Sequence, residues 1–229
     1  MVKIYNIITF KINFNGKISI FVQMAERSIK NLQHDGGCVV FDFTNTINTR
    51  TTAEAHDYLK NYADILSWSG KADILPAEKI KSLTRYASAH VDESSIAFKK
   101  AIRAREALYP MFSAIARAKT PDKRILDEFN MILSDCFSKI QLKISTSEVT
   151  PGFTNNTVLL DEPLCVIVKS AYDILTQENF QRLKECPRCG WLFIDRTKNG
   201  KRRWCDMQVC GSRSKATRYY HKKKEESKS

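Results

Sequence analysis

The 229-residue chain is predicted to be mainly α-helical with small β-hairpins, an α+β fold in which a helical domain precedes a small cysteine-rich unit. Three observations predict this fold class. Apolar residues recur at steps of three and four over most of residues 76–183, as on the buried faces of helices. Apolar residues alternate with polar ones around Asn15-Gly16, which is typical of a hairpin. Four of the seven cysteines lie between Cys186 and Cys210.

Charge and composition limit the function classes. Hydrophobic residues make up 43% of the chain, which is enough to form a core, so wholesale disorder is excluded. The net charge is +12 and is unevenly distributed. Residues 186–229 carry 13 Lys and Arg against 4 Asp and Glu, whereas the other 185 residues carry 24 against 21. The C-terminal segment therefore carries most of the positive charge, which favours a polyanionic partner.

Neither a membrane partner nor secretion is predicted. No stretch reaches the ~18–20 apolar residues that a spanning helix needs. The first two dozen residues are rich in apolar side chains, but charged residues and asparagines interrupt them, unlike a secretory signal. Three isolated cysteines (Cys38, Cys136 and Cys165) beside one cluster fit a reducing compartment better than a disulfide framework. We therefore expect a cytoplasmic protein.

The sequence divides into four segments. Residues 1–36 form an N-terminal extension with a hairpin around Asn15-Gly16, although translation could instead begin at Met24. Residues 37–183 form the helical domain, 184–222 the cysteine-rich unit with a basic helix, and 223–229 a frayed basic tail. Because the helical domain has extensive apolar stripes and a nearly balanced charge, we expect it to fold without the C-terminal segment.

Prolines mark helix boundaries in the helical domain. Pro76 is expected to begin a helix that runs to about Ala89, and Pro121 begins a later one. Asp92 is predicted to cap the helix between them, which Pro110 should bend or divide. The helix after Pro121 is predicted to bury a stripe of apolar residues: Leu126, Phe129, Leu133, Cys136, Ile140 and Ile144.

The end of the helical domain combines a hairpin with a helix. Residues 144–161 place β-branched residues around Pro-Gly and Asn-Asn turn signals, which predicts a second hairpin. A last helix is expected from Leu164 to about Leu183.

The clustered cysteines have the spacing of metal ligands. Cys186 and Cys189 are separated by two residues, Cys205 and Cys210 by four, and fifteen residues lie between the pairs. Four thiolates suit a tetrahedral Zn²⁺ with no open coordination position, so the ion would be structural. Iron is a formal alternative, but the basic surroundings favour zinc. Gly190 and Gly211, which follow the two pairs, could direct backbone N–H groups at sulfur.

The zinc unit is predicted to be a zinc-ribbon-like hairpin followed by a helix. Residues 191–195 and 202–205 are expected to pair as strands across Asn199-Gly200. A basic helix should begin near Ser212 or Ser214. A segment of ~45 residues cannot bury a sufficient core alone, so we expect the metal to supply much of its folding free energy.

This stretch resembles the CGNR zinc-finger family. The matching residues are Cys186, Cys189, Trp191 to Phe193, Asp195, Asn199-Gly200, Arg202 to Cys205 and Cys210 to Arg213. Ser212 stands where the family has asparagine, a small change if the residue caps a helix and a larger one if asparagine reads a base. Upstream, "FDFTNT" (41–46) and "RAREALYPMF" (103–112) resemble the ABATE domain that precedes this finger. The resemblance implies a stress-responsive bacterial transcription regulator that binds DNA.

The basic residues of the finger are the candidate contacts to double-stranded DNA. They are Arg196, Lys198, Lys201, Arg202, Arg203, Arg213, Lys215, Arg218 and Lys222. Most would contact phosphates, and one or two arginines on the final helix could read guanine edges. Tyr219 and Tyr220 could stack on unpaired RNA bases or pack the helix against the finger. For an isolated run of charge, a solvated surface would be the simpler interpretation.

The helical domain is expected to sense a small-molecule effector or to form a homodimer. Asp42, Asn45 and Arg105 are the candidate effector-binding residues, although they could instead brace the helices. No catalytic residue is predicted, since the chain contains no GxSxG, P-loop, HExxH or GxGxxG motif. Two alternatives remain open: a small-molecule enzyme in the helical domain, and a zinc adaptor that binds RNA or protein.

Overall fold

The computed structural model describes residues 7–12, 18–23, 27–53, 55–153, 158–177 and 180–226. Helices dominate these residues, as predicted: α1 (Val39–Thr44), α2 (Tyr62–Lys71), α3 (Ala77–Ala89), α4 (Val91–Ala116), α5 (Lys123–Phe137), α6 (Glu162–Gln177) and α7 (Ser212–Glu226). None of the described helices combines the length and the apolarity that a membrane span needs.

The described strands form three antiparallel pairs. They are β1 (Ile7–Ile12) with β2 (Ile18–Gln23), β3 (Ile140–Ile144) with β4 (Val149–Phe153), and β5 (Leu183–Glu185) with β6 (Leu192–Ile194). The first pair confirms the predicted N-terminal hairpin, whose turn at Asn15-Gly16 lies outside the described residues. The register pairs Ile8 with Val22 and Phe10 with Ile20.

Local sequence explains the main helix boundaries. Pro76, with φ −60° and ψ 147°, immediately precedes α3, close to the predicted start. Asn61 caps α2 by accepting a hydrogen bond from the backbone N–H of Asp64, and Asp122 caps α5 through Arg124. Asp92 lies inside the first turn of α4, which begins at Val91, so its predicted capping role is wrong. Pro110 does not divide α4, which is continuous.

The boundary between α5 and the second hairpin differs from the prediction. Helix α5 ends at Phe137, so Ile140 and Ile144 lie in β3 rather than on the buried stripe of the helix. The hairpin turn lies between Ile144 and Val149, where the side chain of Ser145 accepts a hydrogen bond from the backbone N–H of Glu148. The predicted Pro-Gly turn is part of β4, and the Asn-Asn pair lies outside the described residues.

One hydrophobic core joins the helical domain to the cysteine-rich unit. Phe41, Trp68 and Phe112 are buried in the same cluster as Leu192 and Phe193 of β6. The last helix, α6, ends at Gln177, which leaves β5 to begin the cysteine-rich unit. Because the core is shared, this packing argues against the expectation that the helical domain folds without the C-terminal segment.

The strand pairing of the cysteine-rich unit also differs from the prediction. β6 pairs with β5 upstream, not with residues 202–205, which contain no strand. The hairpin tip therefore carries the first pair of cysteines, while Asn199-Gly200 lies in a loop beyond it. Helix α7 begins at Ser212, as expected, and extends to Glu226, into the segment predicted to be a frayed tail.

Candidate metal centre and basic surface

The four clustered cysteines converge on one point. Their sulfur atoms all lie within 4.8 Å of one another, with the Sγ of Cys205 3.5 Å from that of Cys189 and 3.6 Å from that of Cys210. A tetrahedron with Zn–S bonds of ~2.3 Å has edges of about 3.8 Å, so the cluster has the size that one zinc ion requires. Four protein thiolates leave no coordination position for substrate, so this centre is structural rather than catalytic.

The first pair of ligands lies in the tight turn between β5 and β6. The backbone N–H of Cys186 donates to the carbonyl of Trp191 at 2.8 Å, which closes the hairpin. Gly190 has a φ of +75°, a conformation that side chains disfavour, and its N–H donates to the carbonyl of Cys186 rather than to sulfur. A Cβ at this position would lie 2.7 Å from the Cβ of Arg50. Both constraints require glycine.

The second pair of ligands is fixed by a short helical turn. Residues 207–211 form this turn, and the side chain of Asp206 caps it by accepting from the backbone N–H of Val209. Cys205 precedes the turn and Cys210 lies within it. The N–H of Gly211 donates to the carbonyl of Asp206 at 3.1 Å, not to a sulfur.

Other backbone groups face the sulfurs. The backbone N–H of Cys205 favours the thiolate of Cys186, and that of Trp191 favours the thiolate of Cys189. Such groups stabilise thiolates and orient metal ligands. Trp191 directly follows Gly190, one of the two glycines that the sequence indicated would permit such a turn.

The outer edge of β6 is completed by the helical domain. The side-chain amide of Asn45 donates to the carbonyl of Leu192 at 2.9 Å, and its oxygen accepts from the N–H of the same residue at 3.1 Å. The N–H of Ile194 donates to the carbonyl of Gly36 at 2.9 Å. Asn45 therefore takes the place of a neighbouring strand, and it is almost fully buried.

Two further contacts hold the metal-binding turn against the helical domain. The indole N–H of Trp191 donates to the carbonyl of Ile47 at 2.6 Å. The backbone N–H of Arg50 donates to the carbonyl of Cys189 at 2.7 Å, while its guanidinium pairs with Glu106 at 2.6 Å. These bonds fix the position of one metal ligand relative to α4.

The polar groups of the predicted effector residues bind other groups of the protein. Asn45 is occupied by the backbone of β6, and the buried Arg105 forms two hydrogen bonds with the Asp57 carboxylate, at 2.9 and 2.6 Å. The Asp42 carboxylate accepts from the N–H of Gly36 at 2.9 Å, and burial raises the pKa of Asp42 to about 7. Their polar atoms are engaged by the protein itself, which favours the bracing interpretation.

A buried carboxylate holds the basic loop that follows β6. The Asp195 side chain is fully buried and accepts from Lys184 Nζ, from the Thr197 N–H and hydroxyl, and from the Arg202 N–H, at 2.6–3.0 Å. Burial raises the pKa of Asp195, but the donors outweigh it and hold that pKa well below its usual range. Arg182 donates to the carbonyl of Thr197 at 2.7 Å.

Lys184 and Arg182 were not among the predicted site residues. Lys184 lies on β5 and Arg182 directly precedes that strand, so the available signal was two basic residues just before the first cysteine. Lys184 also donates to the carbonyls of Gly200 and Arg202, so one ammonium group spans both ends of the loop.

The predicted basic residues differ in how freely they face solvent. Those that are exposed are Arg196, Lys198, Lys201, Arg203, Arg213, Lys215, Arg218 and Lys222. Arg202 is half-buried: its guanidinium lies 4.8 Å from the Phe193 ring centroid and its Nε donates to the carbonyl of Trp204. Arg203 lies over the Trp204 ring at 5.1 Å. Arg202 is therefore partly structural, whereas the others remain available to a partner.

Helix α7 projects its side chains into solvent on every side. None of its 15 residues is buried, and Tyr219 and Tyr220 are 65% and 72% exposed. The tyrosines therefore do not pack the helix against the finger. Ser214 contacts the finger by donating its hydroxyl to the carbonyl of Cys210 at 2.8 Å.

The fold and site define a class of protein: a helical domain whose core is completed by a Cys₄ zinc finger. A model of the CGNR zinc finger matches residues 182–223. The ABATE model, described as "Putative stress-induced transcription regulator", matches residues 37–178, more than half of the chain. The chain belongs to the ABATE family and carries a CGNR zinc finger, whose four cysteines provide the site for one structural zinc ion. Comparison with curated proteins gives no match.

Proposed function

We propose that the protein is a cytoplasmic transcription regulator that binds double-stranded DNA through the zinc finger and α7. The observation that supports this most is the composition and exposure of α7. The helix carries six Lys and Arg, and none of its residues packs into a core. A helix that is polar all round gains little from tertiary packing, so a polyanionic partner would stabilise it.

The spacing of charges on α7 suits a duplex backbone. At 100° per residue, Lys215, Arg218 and Lys222 fall on one face of the helix, whereas Arg213 falls on the opposite face. The first three would contact phosphates, which position the helix without reading sequence. Arg213, close to the metal centre, is the better candidate for a base-edge contact.

The loop after β6 supplies a second group of charges on a fixed backbone. Lys198, Lys201 and Arg203 are exposed, while Asp195 and Lys184 hold the loop that presents them. A loop already ordered before binding loses little conformational entropy on contact with DNA. The helical domain would then regulate this unit, in response to stress, as a sensor or as a dimerisation domain.

The exposed tyrosines support RNA as a second candidate ligand. Tyr219 and Tyr220 present aromatic faces to solvent next to lysines, and such rings stack on unpaired bases. Equal affinity for a hairpin RNA and for duplex DNA at the same salt concentration would favour this alternative.

Salt-dependent binding tests the proposal. Anisotropy titrations of a random-sequence duplex are expected to give a slope near −5 in log K against log salt, as for about six phosphate contacts. Alanine at Lys215, Arg218 and Lys222 together should flatten the slope by about 3 units. Alanine at the exposed Lys60, Lys99 and Lys119 of the helical domain is the matched control and should leave it unchanged.

The Arg213→Ala variant distinguishes recognition of a base from contact with a phosphate. If Arg213 contacts a base edge, selection from a random DNA pool should show a relaxed preference at one base pair, at a cost of about 1–3 kcal/mol. If the zinc-loaded protein binds neither duplex nor single strands at low salt, the regulator proposal is wrong.

A further inference from the structure

A cavity of about 580 Å³ lies in the helical domain between the start of α3, helix α6 and the β3–β4 hairpin. Its walls combine polar groups with apolar side chains, which include those of Leu75, Ile140, Phe153, Leu159 and Val166. A cavity of this size falls in the range of small-molecule sites. None of Asp42, Asn45 and Arg105 lines it.

Charged groups at the cavity leave an excess of positive charge. Lys79, Lys143 and Lys169 line it together with one carboxylate, Glu162. Lys79 Nζ lies 3.0 Å from Glu162 Oε2, and Lys169 pairs with Asp173 at 2.6 Å on the next turn of α6. Within the described part of the chain, Lys143 has no ion-pair partner. Three ammonium groups therefore face two carboxylates.

The buried Glu162 also distinguishes the cavity from ordinary surface. Its side chain is only 7% exposed, and its Oε2 lies 3.0 Å from Lys79 Nζ. This ion pair occupies Lys79, so Lys143 is the lysine at the cavity that is left to pair with an anionic ligand.

We propose that this cavity binds a small amphipathic anion, with a carboxylate head paired to Lys143 and a hydrocarbon body against the apolar walls. The excess positive charge selects an anion over a cation. The apolar side chains of Leu75, Phe153 and Val166 favour a hydrocarbon body, which gains free energy on burial against them. The site lies in the helical domain and does not depend on nucleic-acid binding by the finger.

Three C8 compounds that differ only in the head group test the proposal on the zinc-loaded full chain. Octanoate, octylamine and octanol are titrated by calorimetry below the concentrations at which they form micelles. Octanoate is expected to bind at one site per chain, octanol about tenfold more weakly, and octylamine not measurably.

Variants locate the site. Lys143→Ala should weaken octanoate binding about tenfold, whereas Lys99→Ala, an exposed lysine away from the cavity, should not. Val166→Trp should block binding by filling the cavity. If that variant unfolds, Ser82→Trp fills the cavity from the side of α3 instead. Equal affinity for octanoate and octylamine, or unchanged octanoate binding in a folded tryptophan variant, would overturn the proposal.

Discussion

The two halves of the zinc-finger segment contrast sharply in their surroundings. From Cys186 to Cys210 the chain is held by a buried carboxylate, by Asn45 and by the core of the helical domain. From Ser212 to Glu226 it forms a helix without a buried residue. One family model spans nearly all of both halves, residues 182–223. The contrast teaches that a single motif combines a segment built into the protein core with a helix that is exposed throughout.

The contrast has a consequence for protein stability. The first half contributes to the stability of the whole protein because its apolar residues belong to the shared core. The second half contributes little to that core, so its basic residues are free to meet a partner. We therefore expect substitutions of buried residues in the first half to change stability, and substitutions of exposed basic residues on α7 and on the loop after β6 to change binding. Each of the following experiments tests one side of this expectation.

Loss of zinc should have the largest effect. Structural zinc contributes about 10–16 kcal/mol of apparent binding free energy in small fingers, and here the finger completes a larger core. Chelation, or Cys205→Ser, should therefore destabilise the helical domain as well as the finger. Calorimetry and hydrogen exchange of α4 measure this, and elemental analysis should find about one zinc per chain.

Cys38→Ser is the control for the zinc experiment. Cys38 is half-buried at the start of α1 and belongs to no metal cluster among the described residues. An unchanged melting transition of the helical domain in Cys205→Ser would show that the two parts fold independently, as the sequence alone suggested.

Loss of the Asp195 carboxylate should have the next largest effect. Asp195→Ala leaves Lys184 and three backbone or hydroxyl donors without their acceptor in a buried place, which should cost about 2–4 kcal/mol. Urea denaturation measures this cost. Asp206→Ala, which removes only a partly exposed cap, should cost about 1 kcal/mol. Equal costs would mean that the loop is not held by Asp195.

The Asp42 carboxyl should make stability fall as pH rises. Burial raises the pKa of Asp42 to about 7, so folding favours the protonated carboxyl. The contribution of this group to the free energy of unfolding is therefore complete below the ordinary pKa of 3.8 and is lost as pH rises through 7. Between pH 6 and 8.5 the loss should be about 1.4 kcal/mol with zinc bound. Asp42→Asn should remove it, whereas Asp92→Asn, exposed on α4, should not. Denaturation curves of the wild type with the same midpoint at the two pH values would contradict the assignment.

Removal of α7 should have the smallest effect on stability. A chain that ends at Ser212 loses no buried residue, so its unfolding free energy should change by less than about 0.5 kcal/mol. The same truncation should weaken nucleic-acid binding and flatten its salt dependence by about 3 units, since only the basic loop after β6 remains. A large loss of stability would show that α7 packs against the protein in solution.

The parts of the structure that local sequence determines were predictable. The four zinc ligands follow from short spacings, and Pro76 and Pro121 lie just before α3 and α5 because the fixed φ of proline suits the start of a helix. The hairpin between α5 and α6 was placed too late because Pro-Gly is a strong turn signal, whereas Ser145 forms the turn that is observed.

Long-range partners were not predictable. Asn45 was recognised as a polar residue in an apolar stretch, but the choice between ligand binding and bracing depends on Leu192, which lies 147 positions away. Likewise, β6 could be paired with residues on either side of it, since a strand of three residues carries almost no pattern of its own. Packing of the hydrophobic core decides which segment lies beside β6 and so becomes its partner.

The edge that Asn45 and Gly36 supply to β6 means that this zinc finger is not a portable module. A fragment of residues 182–226 fused to an unrelated protein would present the outer backbone groups of Leu192 and Ile194 to solvent, next to the indole of Trp191. Such open strand edges recruit other chains. Exchange of fingers between proteins of this architecture would therefore succeed only when α1 and the loop before it are transferred together with the cysteines.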